Sequence, residues 1–296
     1  MRIGSDPEFF VRAANGKILP AFKFLSAAGT TGVTQPYWDG FQAEFTTHPH
    51  QKATGLLGDL QRGIQELAGK LPEGAQIVAD SVAELSGEEL QNTSAEHVAL
   101  GCSPSRNIYG LFGRGVQDGR KLGIRFAGGH LHFELRGNPA RFVENLDATL
   151  GIVMCSLAAG YDDPRRRLYY GLAGEYRLPS HGLEYRTLSN FWATHPALAS
   201  LAVDLARTFL RMPRAILASQ REIVEILNNT DVAGARRVLR ENSGIFLAVL
   251  ERLYGRGAYA TWRALLDGPE SVRIDPRQVE RNWTRLVCWG VHVNAN

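Results

Sequence analysis

The chain has 296 residues, of which 44% are hydrophobic and 21% charged, as in globular proteins with enough apolar residues for a core. Its 33 basic residues nearly balance 30 acidic ones, so the net charge of +3 gives no reason to expect a nucleic acid or an anionic membrane as partner. Three cysteines without a Cys-x-x-Cys spacing argue against a disulfide framework or a zinc ribbon and favour a reducing compartment. No apolar segment is typical of a signal peptide or a membrane span, so we expect a cytoplasmic protein.

The first part of the chain has the pattern of mixed strands and helices. Residues 1–192 are rich in glycine and aromatic residues, and turn signals separate their short apolar runs. The spacing of leucine and isoleucine predicts helices over residues 53–70 and 139–160, and residues 75–82 are predicted as a strand. Three consecutive arginines at 165–167 are typical of a solvated face.

After Trp192 the periodicity becomes helical. Helices are predicted over residues 196–212, 214–229, 231–240, 243–267 and 276–289. Asp231 and Asn242 are candidate N-caps, and Asp275-Pro276 opens the last helix. We therefore expect a first domain over residues 1–192 and a helical region over 193–296 that packs on it or continues it.

Two short segments carry acids that could face a cation. If residues 3–11 form a strand, Asp6 and Glu8 lie on one face of it, and their burial is costly unless a cation compensates. Glu44 lies on a second strand, after the turn Asp39-Gly40. A divalent ion with oxygen ligands would satisfy these carboxylates. A solvated edge strand and an amphipathic hairpin remain the alternatives.

A histidine pair follows two glycines later in the chain. His130, His132 and Glu134 alternate with apolar residues, so a strand would place all three on one face. Two imidazoles at this spacing can bind one metal ion or phosphate. Gly128-Gly129 would let a ligand or another strand approach the backbone closely. A pair of structural histidines is the alternative.

Arginines accompany a further acid. Glu184 and Arg186 share a strand face, and Arg177 precedes the intervening turn. Convergent guanidinium groups suit carboxylates and phosphates, whereas a surface Glu–Arg pair contributes little. Together these strands predict a metal site with a cationic rim that can hold a nucleoside triphosphate. The glycine-rich stretch 110–119 lacks a Walker A ending and is interpreted as a turn.

Three of these segments resemble motifs of one enzyme superfamily. Residues 6–10 are similar to the Glu-Pro-Glu-Phe-Phe strand of glutamine synthetases, and residues 128–132 resemble the Gly-x-His-x-His strand of these enzymes and of glutamate–cysteine ligases. Residues 177–179 with 183–186 resemble their Arg-Ile-Pro and Ile-Glu-Val-Arg segments, in the same order along the chain. The whole pattern, in patches over residues 1–192, resembles the phage-type carboxylate–amine ligases of type 2, the amidoligases.

The resemblance implies an α+β fold with a curved antiparallel sheet of glutamine-synthetase catalytic type and helices on its outer side. It also implies an ATP- and Mg²⁺-dependent reaction, with Mn²⁺ as a substitute, in which a carboxylate is phosphorylated and an amine attacks the acyl phosphate. The implied substrates are small-molecule or peptide carboxylates and amines. Assembly into an oligomer is a further expectation. If the protein is phage-encoded, it would act in the host cytoplasm.

The resemblance also assigns roles to single residues. It implies that the metal ligands are Asp6, Glu8, Glu44, His130 and Glu184. It gives His132 a contact with the nucleotide phosphates, and Arg125 a contact with a phosphate or a substrate carboxylate. It places Arg177 and Arg186 on the transferred phosphoryl group, so that these two arginines and Glu184 form the catalytic set. Asp6 is shorter than the glutamate of glutamine synthetases, and the turn after Arg177 is shorter than theirs, which argues against ammonia-dependent glutamine synthesis.

Two other functions are compatible with the same residues. One is a metal- and ATP-dependent phosphotransferase that phosphorylates a guanidino nitrogen, and the other is a non-catalytic nucleotide-binding structural protein. The motifs do not identify the base that deprotonates the amine, for which Glu134 and Glu175 are weak candidates.

Overall fold

The computed structural model describes residues 1–29, 32–91, 93–98, 105–114, 119–135, 137–209 and 217–284. The strands in these ranges are β1 (Ile3–Arg12), β2 (Ile18–Leu19), β3 (Ser26–Ala27), β4 (Tyr37–Asp39), β5 (Gln42–Glu44), β6 (Gln76–Val78), β7 (Val82–Glu84), β8 (Arg106–Asn107), β9 (Ile124–Phe126), β10 (Gly129–Phe133), β11 (Glu175–Arg177) and β12 (Leu183–Tyr185). The helices are α1 (Ala53–Gly69), α2 (Gly87–Gln91), α3 (Ala95–Val98), α4 (Pro139–Leu146), α5 (Ile152–Leu157), α6 (Pro196–Phe209), α7 (Gln220–Asn228), α8 (Val232–Glu241), α9 (Ser243–Tyr254), α10 (Ala258–Asp267) and α11 (Val279–Asn282).

One large sheet organises the first part of the chain. Its order is β3-β4-β5-β1-β10-β12-β11-β8, and β2 and β6 pair with the second half of β1. β3 and β4 are parallel, whereas β1 pairs with β10 and β5 in the antiparallel sense, as β10 does with β12. A separate antiparallel pair joins β7 to β9. The expected α+β class with a mostly antiparallel sheet is confirmed, while the curvature of glutamine synthetases stays a prediction.

The alternation of strand residues separates a core face from a polar face. Leu131 and Phe133 of β10, and Leu183 and Tyr185 of β12, are fully buried in a core that includes residues of α1, α5 and α6. Because side chains alternate along a strand, the histidines of β10 and Glu184 of β12 face the other way. The helices therefore cover one side of the sheet and leave the polar side chains together on the other.

Most helices of the first part lie where periodicity predicts them. α1 matches the prediction for residues 53–70. The predicted helix 139–160 is continuous over 139–157, but a π-helical turn, Asp147–Gly151, joins α4 to α5. Asp147 in this turn is buried and accepts a hydrogen bond of 2.6 Å from the Tyr185 hydroxyl. The predicted strand 75–82 is divided into β6 and the start of β7, which belong to different sheets.

The second part is helical, as predicted, with different boundaries. α6 and α8 agree with their predictions, and Asp231 caps α8 by accepting from Gly234 N at 3.0 Å. Asn242 is at the N-cap of α9 without a capping hydrogen bond from its side chain. The predicted helix 243–267 is broken at Gly255, where φ is +51°, a value that favours glycine.

The remaining boundaries are shorter than predicted. α7 begins at Gln220, after Ser219, whose side chain accepts from Glu222 N. The last helix is the short α11, and residues 210–216 and 285–296 lie outside the described parts of the chain. No helix in the described ranges is both long and apolar enough to cross a membrane. The division of the chain at residue 192 stays a prediction, although one hydrophobic core includes residues from both sides of it.

Candidate active site

Strand pairing brings the predicted acids and histidines together. β1 lies between β5 and β10, so that Glu8 is opposite Glu44 and Asp6 is opposite His130. One strand further, β12 places Glu184 opposite His132. The four sequence segments therefore meet on the polar face of the sheet, around the middle of β1.

Three carboxylates form the first group, which we call the acidic cluster: Glu8, Asp39 and Glu44. One oxygen of each lies within 4.8 Å of the others. Glu8 accepts a hydrogen bond of 2.6 Å from Gly128 N, and the Tyr37 hydroxyl donates to Glu44 at 2.6 Å. The sequence motifs did not include Asp39 among the ligands; the tight hairpin from β4 to β5 brings it in.

Burial and mutual repulsion disfavour the charged forms of these acids. Burial, reinforced by the charge of Asp39, raises the pKa of Glu8 to about 8. Burial and the charges of Asp6 and Glu8 raise the pKa of Glu44 well above its ordinary value. Burial also raises the pKa of Asp39, although Arg186 opposes this effect. A cation in the acidic cluster would therefore favour the ionised forms.

The second group contains both oxygen and nitrogen ligands and is called the mixed cluster: Asp6, His132 and Glu184. Asp6 lies 2.9 Å from His132 Nε2, and His130 Nδ1 is 3.2 Å from Asp6 and 3.4 Å from Glu184. Burial would raise the pKa of Asp6, but His132 and then His130 outweigh it and hold this pKa far below its usual value. Asp6 is therefore ionised and able to bind a cation.

The residues of both clusters fit divalent cations. Mg²⁺ and Mn²⁺ prefer oxygen ligands. The acidic cluster offers only carboxylate oxygens, and the mixed cluster offers carboxylate oxygens and one imidazole nitrogen. All five predicted ligands lie in or beside these clusters. His132, which the resemblance places on the nucleotide, is in the mixed cluster, whereas His130 lies behind it with Nε2 against the Tyr170 hydroxyl.

Both predicted arginines border the mixed cluster. Arg177 Nη2 donates to Glu184 at 2.5 Å, and Arg186 Nη1 donates to the same carboxylate oxygen. Arg186 is buried, its guanidinium lies 4.9 Å from the centre of the Tyr170 ring, and its Nε is 3.6 Å from Glu175. Burial would raise the pKa of Glu184, but His130 and Arg186 reverse this and lower it. Glu184 thus joins the predicted metal ligands to the guanidinium groups.

Arg125 has a different environment from the one predicted. Its guanidinium donates to four backbone carbonyls, those of Leu122, Ile124, Val98 and Gly119, at 2.8–3.3 Å. The side chain is buried, 5.3 Å from the Phe41 ring centre. These contacts occupy the donors that a phosphate would need, so the structure corrects the expectation and gives Arg125 the role of holding loops to β9.

The arginine run at 165–167 is also not the solvated face that the sequence predicts. Arg165 is exposed, but Arg166 and Arg167 are buried. Arg166 donates to the carbonyls of Arg186, Thr187 and Leu188 and stacks on Tyr170. The run therefore supports the segment that carries Arg186.

Neither weak candidate for the base lies free in the site. Glu134 pairs at the surface with Arg2, at 3.0 Å. Glu175 is buried beside Arg186 and accepts from Leu172 N at 3.0 Å. Sequence motifs missed Tyr37, Tyr170 and His181, and the last of these lies 2.9 Å from His132. In the glycine-rich stretch 110–119, residues 115–118 lie outside the described chain.

A cavity of about 730 Å³ adjoins the mixed cluster. Asp6 and His132 form part of its wall, together with the turn 179–182 between β11 and β12. The remaining lining includes Thr47, Pro49 and the Arg2–Glu134 pair. Space for a small organic molecule therefore lies beside the predicted metal ligands.

An antiparallel sheet with two metal-ligand clusters beside paired arginines is suited to enzymes that act on metal-bound nucleotides. Residues 121–266 match the family model of the phage phiEco32-like COOH.NH2 ligases of type 2. Over these residues, just under half of the chain, the protein is similar to the family that its motifs resemble. The matched stretch includes His130, His132, Arg177, Glu184 and Arg186, whereas the acidic cluster lies before it.

Other comparisons add little. No curated protein matches the chain. Among solved structures, the crystal structure of a bifunctional glutathione synthetase from Pasteurella multocida matches with 14% identity and a TM-score of 0.49. The match covers 95% of this chain and 48% of that one, so this chain spans about half of that protein's length. A likeness at this level carries no information about activity.

Proposed function

We propose that this protein is an ATP-dependent carboxylate–amine ligase that forms an amide or peptide bond through an acyl-phosphate intermediate. The reaction takes place at the acidic and mixed clusters, on a sheet curved as in glutamine synthetases. One observation carries the proposal: the two clusters lie side by side on one face of β1. Glu8 belongs to the acidic cluster, and Asp6, two residues before it on the same strand, belongs to the mixed cluster. Arg177 and Arg186 lie beside them.

The two clusters would each hold a divalent cation. Glu8, Asp39 and Glu44 offer only carboxylate oxygens, and Asp6, Glu184 and His132 add a nitrogen. Mg²⁺ or Mn²⁺, when bound, neutralises the triphosphate and polarises its γ-phosphoryl group. His130 orients the mixed cluster from behind, because its Nδ1 contacts Asp6 and Glu184 while its Nε2 is against the Tyr170 hydroxyl.

The arginines would act on the transferred phosphoryl group. The substrate carboxylate oxygen attacks the γ-phosphorus and ADP leaves, so that negative charge spreads over the equatorial oxygens. Arg186 is buried and held on two sides by Glu184 and Tyr170, which fixes its planar donors toward this charge. The amine then attacks the acyl carbon, phosphate leaves, and the ammonium proton passes to a base.

The substrate class follows from the cavity beside the mixed cluster. Its size suits an amino acid, a short peptide or a similar small molecule. Hydroxyl, imidazole and ion-paired groups line it, and these can bind both a carboxylate and an amine.

The test is ATP hydrolysis by the full chain with Mg²⁺ and pools of amino acids, short peptides and polyamines. Phosphate release should require both a carboxylate and an amine, and ¹⁸O from the labelled carboxylate should appear in the phosphate. Glu184→Gln should abolish both signals, while Glu241→Gln, in an exposed ion pair with Arg237 on α8, should retain them.

Two other results would contradict the proposal. A phosphorylated guanidino product that accumulates without a second substrate would indicate a phosphotransferase. A non-catalytic protein would bind ATP without turnover in any pool. In that case Glu184→Gln would bind ATP as tightly as the native chain.

A further inference from the structure

A third group of side chains that could bind a metal ion lies outside the candidate active site. His48 and His50 are in the loop between β5 and α1, and Asp59 is on α1. His48 Nδ1 is 3.0 Å and His50 Nε2 is 2.8 Å from the same oxygen, Oδ2 of Asp59. None of these residues takes part in the proposed ligase reaction. We name this group the loop cluster.

The hydrogen bonding of Asp59 indicates that the loop cluster is made for a cation. Its side chain is 0% exposed, and Oδ2 receives the backbone N–H of His48 at 2.9 Å in addition to the two imidazole nitrogens. A carboxylate oxygen has about two lone-pair sites, so three donors exceed what it can accept well. A cation bound by both ring nitrogens and the oxygen would satisfy all three ligands.

The distances suit a tetrahedral ion. Zinc bonds of about 2.0–2.1 Å place neighbouring ligand atoms about 3.3 Å apart, a few tenths of an ångström more than the separations here. Arg62 donates to the other oxygen, Oδ1, and so supplies the outer contact that ligating carboxylates usually have. The His48 side chain is 57% exposed, which leaves the fourth position open to water.

The packing around His50 shows that the helix leaves room for this imidazole. A Cβ at Gly55 would lie 2.4 Å from His50 Nδ1, whereas a Cβ at Gly58 would meet nothing within 4 Å. Glycine inside a helix lowers the stability by up to about 1 kcal/mol relative to alanine. At position 55 the neighbouring His50 imidazole explains why a glycine is present, since a larger residue would collide with it. His50 also pairs with Ile3 at the start of β1, with both backbone hydrogen bonds at 2.9 Å.

We infer that the loop cluster binds a zinc-class transition ion, separate from the ions of the ligase site. Two imidazoles and one carboxylate favour Zn²⁺, Co²⁺ or Ni²⁺ over Mg²⁺. The ion would join the loop to α1 and, through the Ile3–His50 pairing, to the strand that carries Asp6 and Glu8. Such a site extends beyond the proposed function, because none of its ligands lies in the acidic or mixed cluster.

The experiment measures zinc retained by the full chain after dialysis against excess Mg²⁺, together with the melting temperature with and without Zn²⁺. The variant His48→Gln/His50→Gln should retain one zinc equivalent less than the native chain and lose the zinc-dependent rise in melting temperature. His132→Gln, in the mixed cluster, should keep that equivalent. His97→Gln, a histidine that stacks on Phe22, is the control and should match the native chain.

Further variants keep the test decisive if the double variant unfolds. His48→Gln replaces an exposed side chain and should raise the zinc dissociation constant about tenfold or more. Gly55→Ala should weaken zinc binding, and Gly58→Ala should not. Equal zinc content and equal melting behaviour in the native chain and both His48 variants would overturn the inference and leave a hydrogen-bonded loop without a metal.

Discussion

Glu8 and Glu44 face each other across the antiparallel pairing of β1 with β5, with Glu8 buried and Glu44 half-buried. Two carboxylates in direct cross-strand contact are destabilising unless a cation or a proton lies between them. The pair is therefore the point where a metal ion would most change both the activity and the stability of the fold.

Glu44→Gln should separate these two effects. The amide keeps an acceptor for the Tyr37 hydroxyl but removes one charge from the acidic cluster. We expect ligase turnover to fall about 100-fold or more, because a metal contributes several kcal/mol to the transition state. The metal-free variant should unfold at a higher denaturant concentration than the metal-free native chain, since repulsion is relieved. Glu241→Gln, in an exposed ion pair with Arg237, should change neither property by more than about twofold or 0.5 kcal/mol.

The contribution of Glu8 to the stability of the metal-free protein should fall as the pH rises from about 4.5 to 8. The pKa of Glu8 is raised from 4.5 to about 8 in the fold, so over this range the folded chain holds a proton that the unfolded chain has released. Stability falls with pH wherever the folded state binds more protons. Chemical denaturation at several pH values checks this. Mg²⁺ should restore the lost stability, and more so toward pH 8. Glu8→Gln should reduce the dependence of stability on pH. If that substitution leaves the dependence unchanged, Glu8 is not its cause.

Arg186→Lys should strongly reduce turnover. The guanidinium donates to Glu184 and stacks on Tyr170, and a lysine ammonium has neither the planar fork nor the stacking surface. We expect kcat to fall about 100-fold or more, with a smaller change in KM for ATP. Arg165→Lys, at an exposed arginine of the same chain, is the matched control and should stay within about twofold. Near-native kcat in Arg186→Lys would show that the arginine only supports the fold.

Arg125→Met should destabilise the fold without changing nucleotide affinity. The substitution removes the guanidinium donor from the carbonyls of four residues, two of them in buried hydrogen bonds, and we expect the free energy of unfolding to fall by about 2–4 kcal/mol. KM for ATP should remain within about twofold, because the guanidinium donors face the backbone. Steady-state kinetics and urea denaturation measure both quantities. A large rise in KM at unchanged stability would instead return Arg125 to the phosphate-binding role that the resemblance implies.

The amino-acid sequence alone predicts which side chains share a strand face. The period of two in β1, β10 and β12 places Asp6 with Glu8, His130 with His132 and Glu184 with Arg186, because alternation is a local property of extended backbone. Helical periodicity likewise predicted α1 and most of the later helices. These features depend on neighbours a few residues apart, which the sequence displays directly.

Long-range contacts, in contrast, determine which strand faces meet and which guanidinium groups bind backbone carbonyls. Strand register placed Glu8 against Glu44, and the β4–β5 hairpin added Asp39. Arg125 and Arg166 carry the same guanidinium as Arg186, yet backbone carbonyls from distant segments occupy both of them. Long-range pairing depends on the free energy of the whole chain. Local spacing alone therefore cannot predict which residues form a cluster, or which charged side chains are bound by distant backbone groups.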